Sequence, residues 1–308
     1  MIKVRDLRVD YDNLCAVHDV SLEIGPGEVY GLIGPNGAGK TSTMRAVVGL
    51  IEPTYGEIEI CGVDIREKPE DASQIIGFMP DFPPVYDDLM VWEFLDLFAA
   101  SYWIAPAERP GVIERHLELV GLTEKRNSLV IELSRGMRQR LVLAKTLLPD
   151  PQVLLLDEPA SGMDPNGRAD LKRALKSLAA DGKTVLVSSH ILSEMSEFCT
   201  SVGIMEKGRM VVSGKVDEVM AEVMGEGTLV VEIVGESDGL DFIVAGNERA
   251  GAIKRQDNTF QFPFRGDATA ASELLATIVQ SGFRVASFSR KREGLEELFL
   301  KVGAKELS

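Results

Sequence analysis

Two glycines, an amine and a hydroxyl stand at fixed spacing in Gly34-x-x-x-x-Gly39-Lys40-Thr41, a set suited to gripping a polyphosphate. Glycine permits left-handed backbone angles and a close approach with no Cβ in the way. Successive N–H groups then turn inward as an anion nest, and the positive end of a following helix aims at the same point. The Lys40 amine would reach the β- and γ-phosphates, and the Thr41 hydroxyl would serve Mg2+. A second pair, Asp157 and Glu158, closes the apolar run Val153 to Leu156. Asp157 suits Mg2+ held through water, and Glu158 suits the orientation and deprotonation of an attacking water. Taken alone, such a pair reads as a solvated acidic turn; the loop at Gly34 to Thr41 gives it a task.

These groups need a scaffold that delivers them to one place. EVYGLIG, before the loop, is continuously apolar, as a strand buried on both faces is, and a helical pattern follows it. VLLLD is a second buried strand, which would carry Asp157 to the carboxyl edge of a sheet, where open α/β folds collect ligands. IKVRDLRV, AVHDVSLEI and GEIEICG alternate as half-buried strands do. From Met90 to about Leu122 apolar residues recur three and four apart, and a further helix is predicted over Ser134 to Leu148. Asp164 and Pro165 supply an N-cap and a Pro at the first helical position, and Gly182 ends the helix they start. TVLVSSH is the next strand, ILSEMSEFC a helix, and SVGIMEKGRMVVSG a hairpin turning at Lys207-Gly208. This alternation predicts an α/β fold with a parallel sheet.

Composition shifts near Ala221 to Thr228. Beyond it the predicted order is strand, helix, two strands, helix, strand and a last helix from Leu295, the order of a small α+β ferredoxin-like domain. The domain plan is therefore 1–220, a linker at 221–227, and 228–308. Lys and Arg total 33 against 48 Asp and Glu, a net charge of −15, which works against sequence-independent nucleic-acid binding. Cys15, Cys61 and Cys199 are scattered, without disulfide or zinc spacing, as in a reducing compartment. The opening MIKVRDLRVD has no apolar core of signal-peptide length. No apolar run approaches the roughly 20 residues that span a bilayer, so any membrane part would come from another chain.

On these residues and four further groups the chain resembles the ATP-binding-cassette ATPases, the nucleotide-binding subunits of transporters. GPNGAGKT matches that family's Walker A motif and LLLDEP its Walker B. LSRGMRQR, Leu133 to Arg140, stands where the family has its signature, SGMD at Ser161 to Asp164 resembles its D-loop, and His190 falls at the switch histidine. Tyr11 fits the aromatic that stacks on adenine. The resemblance covers about the first 220 residues. It implies a P-loop NTPase cassette: a mixed sheet with an antiparallel β-subdomain and a helical subdomain inserted at about 85–148. It implies ATP and Mg2+ held by Gly34, Pro35, Asn36, Gly37, Ala38, Gly39, Lys40, Thr41 and Ser42. Ser134 and Gly136 would hold a γ-phosphate belonging to a second cassette, an identical copy or a paralogue, and Asp164 of the D-loop would join the nucleotide-binding set. Without the family context, LSRGM reads as a plain capped helix and His190 as a structural histidine after a strand.

Two departures stand out. The signature commonly has Gly and Gln where this chain has Arg135 and Met137, a pattern resembling exporter cassettes that pair with a separate six-helix permease. The loop GFMPDFPPVYDDL carries Asp81 where Gln is usual; its carboxylate would still meet Mg2+ or water. Apolar residues near Phe82 to Tyr86 would line the groove for the permease's coupling helix, or pack as core. LEELFLKV near the end resembles tails of drug-exporter cassettes. The expected protein is the ATPase of an ABC exporter, cytoplasmic and peripheral on the inner face of the membrane through its permease, with no nucleic-acid partner. The alternatives are a soluble cassette ATPase acting on nucleic acid or ribosomes, and a regulatory subunit in which binding matters and hydrolysis does not. Copurification of a six-helix membrane protein, or of ribosomal or DNA-bound material, separates the classes.

Overall fold

The computed structural model describes residues 1–12, 14–81, 84–219, 226–235 and 237–291. They fall into two compact units, Met1–Val216 and Asp217–Ser308.

In the first unit, alternating residues build an antiparallel sheet from β1 (Ile2–Tyr11), β2 (Leu14–Ile24), β4 (Tyr55–Ile60) and β5 (Val63–Asp64), in the order β2-β1-β4-β5. A second sheet takes the continuously apolar segments. It comprises β3 (Val29–Ile33), β6 (Ile76–Met79), β7 (Val153–Leu156), β8 (Thr184–Ser189), β9 (Ser201–Glu206) and β10 (Arg209–Lys215). Its order is β10-β9-β3-β8-β7-β6, parallel throughout except for the β9–β10 hairpin. Every residue of β3, β7 and β8 is buried, as expected of strands covered on both faces. Helix α1 (Lys40–Val47) follows β3. Its Met44, Ala46 and Val47 share one apolar core with Ile2, Val20 and Ile24 of the antiparallel sheet and Leu32, Leu155 and Leu186 of the other.

Between β6 and β7 lie α3 (Val91–Ser101), α4 (Arg109–Leu119) and α5 (Arg135–Leu147), preceded by α2 (Pro69–Ile75) before β6. After β7 comes α6 (Pro165–Ala180), capped by Asp164, whose Oδ1 accepts the Gly167 N–H at 3.3 Å. The helix expected from ILSEMSEFC is only the single turn α7 (Leu192–Met195). Together these elements form the expected mixed-sheet cassette with an inserted helical subdomain. Cys15, Cys61 and Cys199 are free thiols, and no helix of the described residues is long and apolar enough to cross a membrane.

The second unit runs β11 (Glu226–Ile233), α8 (Leu240–Ala245), β12 (Lys254–Gln256), β13 (Thr259–Arg265), α9 (Ala268–Gln280) and β14 (Val285–Lys291). Its sheet is antiparallel in the order β12-β13-β11-β14. Phe260, Phe262 and Phe264 alternate inward and are fully buried with Leu229, Val231 and Leu274. Two residues assigned to the linker belong to the sheet: Glu226 pairs with Arg265 and Gly227 with Phe264, because ladder pairing there satisfies backbone groups that a free linker would leave to water. The rest of that linker, 221–225, and the helix expected from Leu295 lie outside the described residues.

Candidate functional site

β3, β8, β7 and β6 are consecutive neighbours and run parallel, so the residues that follow them emerge along one edge. Gly34 follows β3, His190 follows β8, Asp157 and Glu158 follow β7, and Asp81 lies two residues beyond β6. Sheet topology thus gathers groups far apart in sequence at the carboxyl edge, where parallel sheets present ligand sites.

The loop between β3 and α1 is shaped by its glycines. Gly37 and Gly39 have φ of +82° and +100°, angles that L side chains disfavour. Pro35, Asn36 and Gly37 are exposed, Ala38 is buried, and Thr41 and Ser42 are half-buried in the first turn of α1. Lys40, only 6% exposed, folds back over the loop. Its Nζ donates to the carbonyls of Gly34 (2.7 Å) and Pro35 (3.3 Å) and lies 3.4 Å from Glu158 Oε1.

Asp157 is 2% exposed and uses both oxygens. Oδ2 accepts the Thr41 hydroxyl at 2.8 Å, and Oδ1 accepts that of Ser188 at 2.6 Å. The same Ser188 oxygen accepts the Glu158 N–H at 2.8 Å. Glu158 has φ of +47°, which turns its side chain back over the sheet edge, where Oε2 meets His190 Nδ1 at 3.0 Å. Ser188 escaped sequence reasoning. The only signal for it is its place two residues before His190 in TVLVSSH, and its role depends on β7 and β8 being adjacent, which sequence spacing does not state.

Asp81 joins this group. Its Oδ1 is buried and has no hydrogen-bond partner. Burial pushes its carboxyl above the ordinary aspartate value, the charges of Asp157 and Glu158 push it further, and Arg135 and His190 oppose the shift. Oxygen donors from Thr41, Asp157 and Asp81 suit a hard cation such as Mg2+. No cluster of three or more His, Cys, Asp or Glu among the described residues could hold a metal by itself.

Other expected residues stand apart from this group. Ser134 caps α5, its Oγ accepting the Met137 N–H at 3.3 Å. Gly136 is buried, and a Cβ there would stand 3.2–3.3 Å from Met163. Arg135 reaches the turn after β7, its Nη2 donating to Ser161 Oγ at 3.1 Å. No hydrogen bond among the described residues joins Ser134 or Gly136 to the loop at Gly34 to Thr41. Asp164 serves α6 as its cap. Tyr11 ends β1, 40% exposed, on a hairpin whose returning strand touches the loop through Ala16. Tyr86 is exposed and packs against the rings of Phe94 and Phe98; Phe82 lies outside the described residues.

A parallel sheet whose edge combines a glycine loop, a lysine, a buried aspartate and an adjacent glutamate defines a P-loop nucleotide-binding cassette. The profile of the family described as "ABC transporter" matches residues 17–161. A Nod factor export ATP-binding protein I from Cupriavidus pinatubonensis is 33% identical over 311 aligned residues, covering 100% of this chain and 92% of that protein. Among solved structures, an ATP-binding subunit of an ABC transporter superposes with a TM-score of 0.65 at 31% identity, covering 72% of this chain and 92% of that one. A bacterial ABC transporter cassette solved as a dimer gives 0.65 at 26% identity, covering 70% and 99%. The chain belongs to the ABC transporter ATP-binding family, and it is an ATP-binding, ATP-hydrolysing subunit.

Proposed function

We propose that this chain drives an exporter, with each residue at the sheet edge holding a distinct task. The loop Gly34 to Ser42 wraps the triphosphate. Lys40 exchanges the Gly34 and Pro35 carbonyls for β- and γ-phosphate oxygens, a stronger charge-assisted pairing. Thr41, Asp157 and Asp81 hold Mg2+, which when bound neutralises phosphate charge. Glu158 takes the proton of the attacking water. Its neighbours favour that role: His190 orients one oxygen, while the other lies near Lys40 without a hydrogen bond, free to accept one. Tyr11 stacks on adenine. The observation that carries the reading is the meeting of Lys40, Thr41, Asp157, Glu158 and His190 along one sheet edge.

Ser134, Gly136 and Asp164 serve a second cassette, most simply another copy of this chain. The separation of Ser134 and Gly136 from the loop within one chain supports this reading, as does the relative solved as a dimer. A separate transmembrane permease receives the motion, holding the chain on the inner face of the membrane, and the exported cargo is handled there. The relative's name as an export protein supports the direction. The second unit is a ferredoxin-like accessory domain, supported by its β-α-β-β-α-β order and antiparallel sheet; its boundary with the cassette falls near residues 217–225.

Sedimentation of the Glu158→Gln variant with MgATP tests the pairing: a nucleotide-dependent dimer is expected, and a monomer with nucleotide bound would overturn it. Lys40→Ala should lose MgATP affinity by about 10-fold or more, as removal of a hydrogen-bonded charge does. Equal calorimetric titrations of this variant and wild type would sink the loop assignment.

A further inference from the structure

The glycines of the phosphate loop face two ways. Besides the open side, Gly34 and Gly39 lie against the β9–β10 hairpin. A Cβ on Gly34 would overlap the Met205 carbonyl oxygen. One on Gly39 would stand 2.6 Å from the Ala16 carbonyl oxygen and 3.3 Å from both the Gly208 Cα and the Met205 Cε. Gly208, at the hairpin turn, has φ of +81°, and a Cβ there would meet the same Ala16 oxygen at 2.7 Å and His18 Cδ2 at 2.8 Å. Three glycines thus let loop, hairpin turn and β2 come together at backbone distance.

Two hydrogen bonds fix this contact. Gly208 N–H donates to the Ala38 carbonyl at 3.0 Å, and the Gly208 carbonyl accepts the His18 N–H at 2.7 Å. In a trans peptide the C=O and the N–H point in opposite directions. Drawing the Ala38 carbonyl toward the hairpin therefore turns the Gly39 N–H away from it, toward the open side of the loop. An anion nest depends on the direction of such N–H groups.

We propose that Gly208 is a positioning residue for nucleotide binding: the β9–β10 turn is the seat that sets which way the Ala38–Gly39 peptide faces. This rests on the reading that MgATP binds the Gly34 to Thr41 loop. Gly208 does not touch the nucleotide; it acts through Ala38 and, by way of the His18 N–H, ties the loop to β2.

The test compares Gly208→Ala with Gly62→Ala in the full-length chain. Gly62 has nearly the same backbone angle, φ of +85°, but a Cβ there meets nothing within 4 Å. Both variants carry the cost of a left-handed alanine; only the first pushes the turn off its seat. Calorimetric titration should give Gly208→Ala a Kd for MgATP raised about 10-fold or more, the size of one misdirected charge-assisted hydrogen bond, with Gly62→Ala at the wild-type value. A wild-type Kd for Gly208→Ala, or equal weakening in both variants, overturns the proposal. If Gly208→Ala does not fold, hydrogen exchange on the wild-type protein decides: MgATP should slow exchange of the Gly208 amide, and an unchanged rate overturns the proposal. Lys40→Ala is measured alongside; if it binds MgATP as wild type does, the loop reading fails and not the seat.

Discussion

In the unit Met1–Val216, Lys40, Gln139, Arg140, Asp157, Ser188 and Ser189 are buried; in the unit Asp217–Ser308, Ser237 is the buried polar side chain among the described residues. The two units also finish their polar groups differently. Ser237 donates to Asn258 Oδ1 and accepts from Arg255 Nη2, each at 2.9 Å, and the Arg255 guanidinium covers the Phe260 ring. That network closes on itself. Among the described residues of the second unit the orphan is Arg290 Nε, one N–H of a guanidinium whose Nη2 is already bonded to the Phe264 and Gly266 carbonyls. In the first unit, besides Gln139 Oε1, Arg140 Nε and Arg168 Nε, three carboxylate oxygens are buried without a hydrogen bond: Asp87 Oδ1, which pairs with Arg138, and, at the sheet edge, Asp81 Oδ1 and Glu158 Oε1, the latter 3.4 Å from Lys40 Nζ. Native interiors hydrogen-bond nearly all such atoms, so two acceptors left without a hydrogen bond at one sheet edge mark where a protein holds binding capacity in reserve. The second unit's burial is structural, dominated by Phe260, Phe262 and Phe264.

The sharpest way to break this contrast is at Glu158. Glu158→Gln keeps the shape and removes the base, so kcat for ATP hydrolysis should fall by about 10²–10⁴ while the calorimetric Kd for MgATP stays near wild type. Undiminished turnover would put Glu158 outside the chemistry. Its counterpart is Phe262→Ala, which opens the core of the second unit at a cost of about 3–5 kcal/mol. Denaturant unfolding should record that loss while MgATP affinity is retained; a tenfold weaker nucleotide affinity would mean that the units are not independent.

A matched pair of helix caps refines the comparison. Asp164 accepts the Gly167 N–H in the cassette, and Asp267 accepts the Ala270 N–H in the second unit. Each change to Ala should cost about 1 kcal/mol of stability, but only Asp164→Ala should lower ATPase activity. Equal activities would leave Asp164 as a cap alone.

The smallest effect concerns Asp81. Its carboxyl is raised in the folded protein, chiefly by burial and then by Asp157 and Glu158. An acid of that kind favours the folded state less as pH climbs from its ordinary value through the raised one. Asp81→Asn removes this penalty, so in chelator at neutral pH it should melt slightly above wild type. The difference should vanish below pH 3.8, the ordinary value. A lower melting temperature for Asp81→Asn at neutral pH would contradict the stated direction.

Much of the site could be read from the sequence because its parts are local. The Gly34 to Thr41 loop, the apolar strand ending in Asp157 and Glu158, and the Asp164-Pro165 helix start each lie within a few consecutive residues. The turn at Lys207-Gly208 was legible as a hairpin but not as a support, since its partners Ala38 and His18 come from other strands. Ser188 escaped for the same reason. In the second unit the order of strands and helices was legible, but the shared inward face of Phe260, Phe262 and Phe264 and the cap at Asp267 were not singled out. The start of β11 was not, since Glu226 and Gly227 carry no strand preference of their own and are held by pairing with Arg265 and Phe264.

The single hydroxyl of Ser188 has a mechanical corollary. It clamps the aspartate by donating and the neighbouring peptide by accepting, and both grips begin on a strand that ends beside His190. The ends of β7 and β8 should therefore shift as one jaw. A ligand that tugs on either acid is felt two residues further along the neighbouring strand, with no relay through solvent.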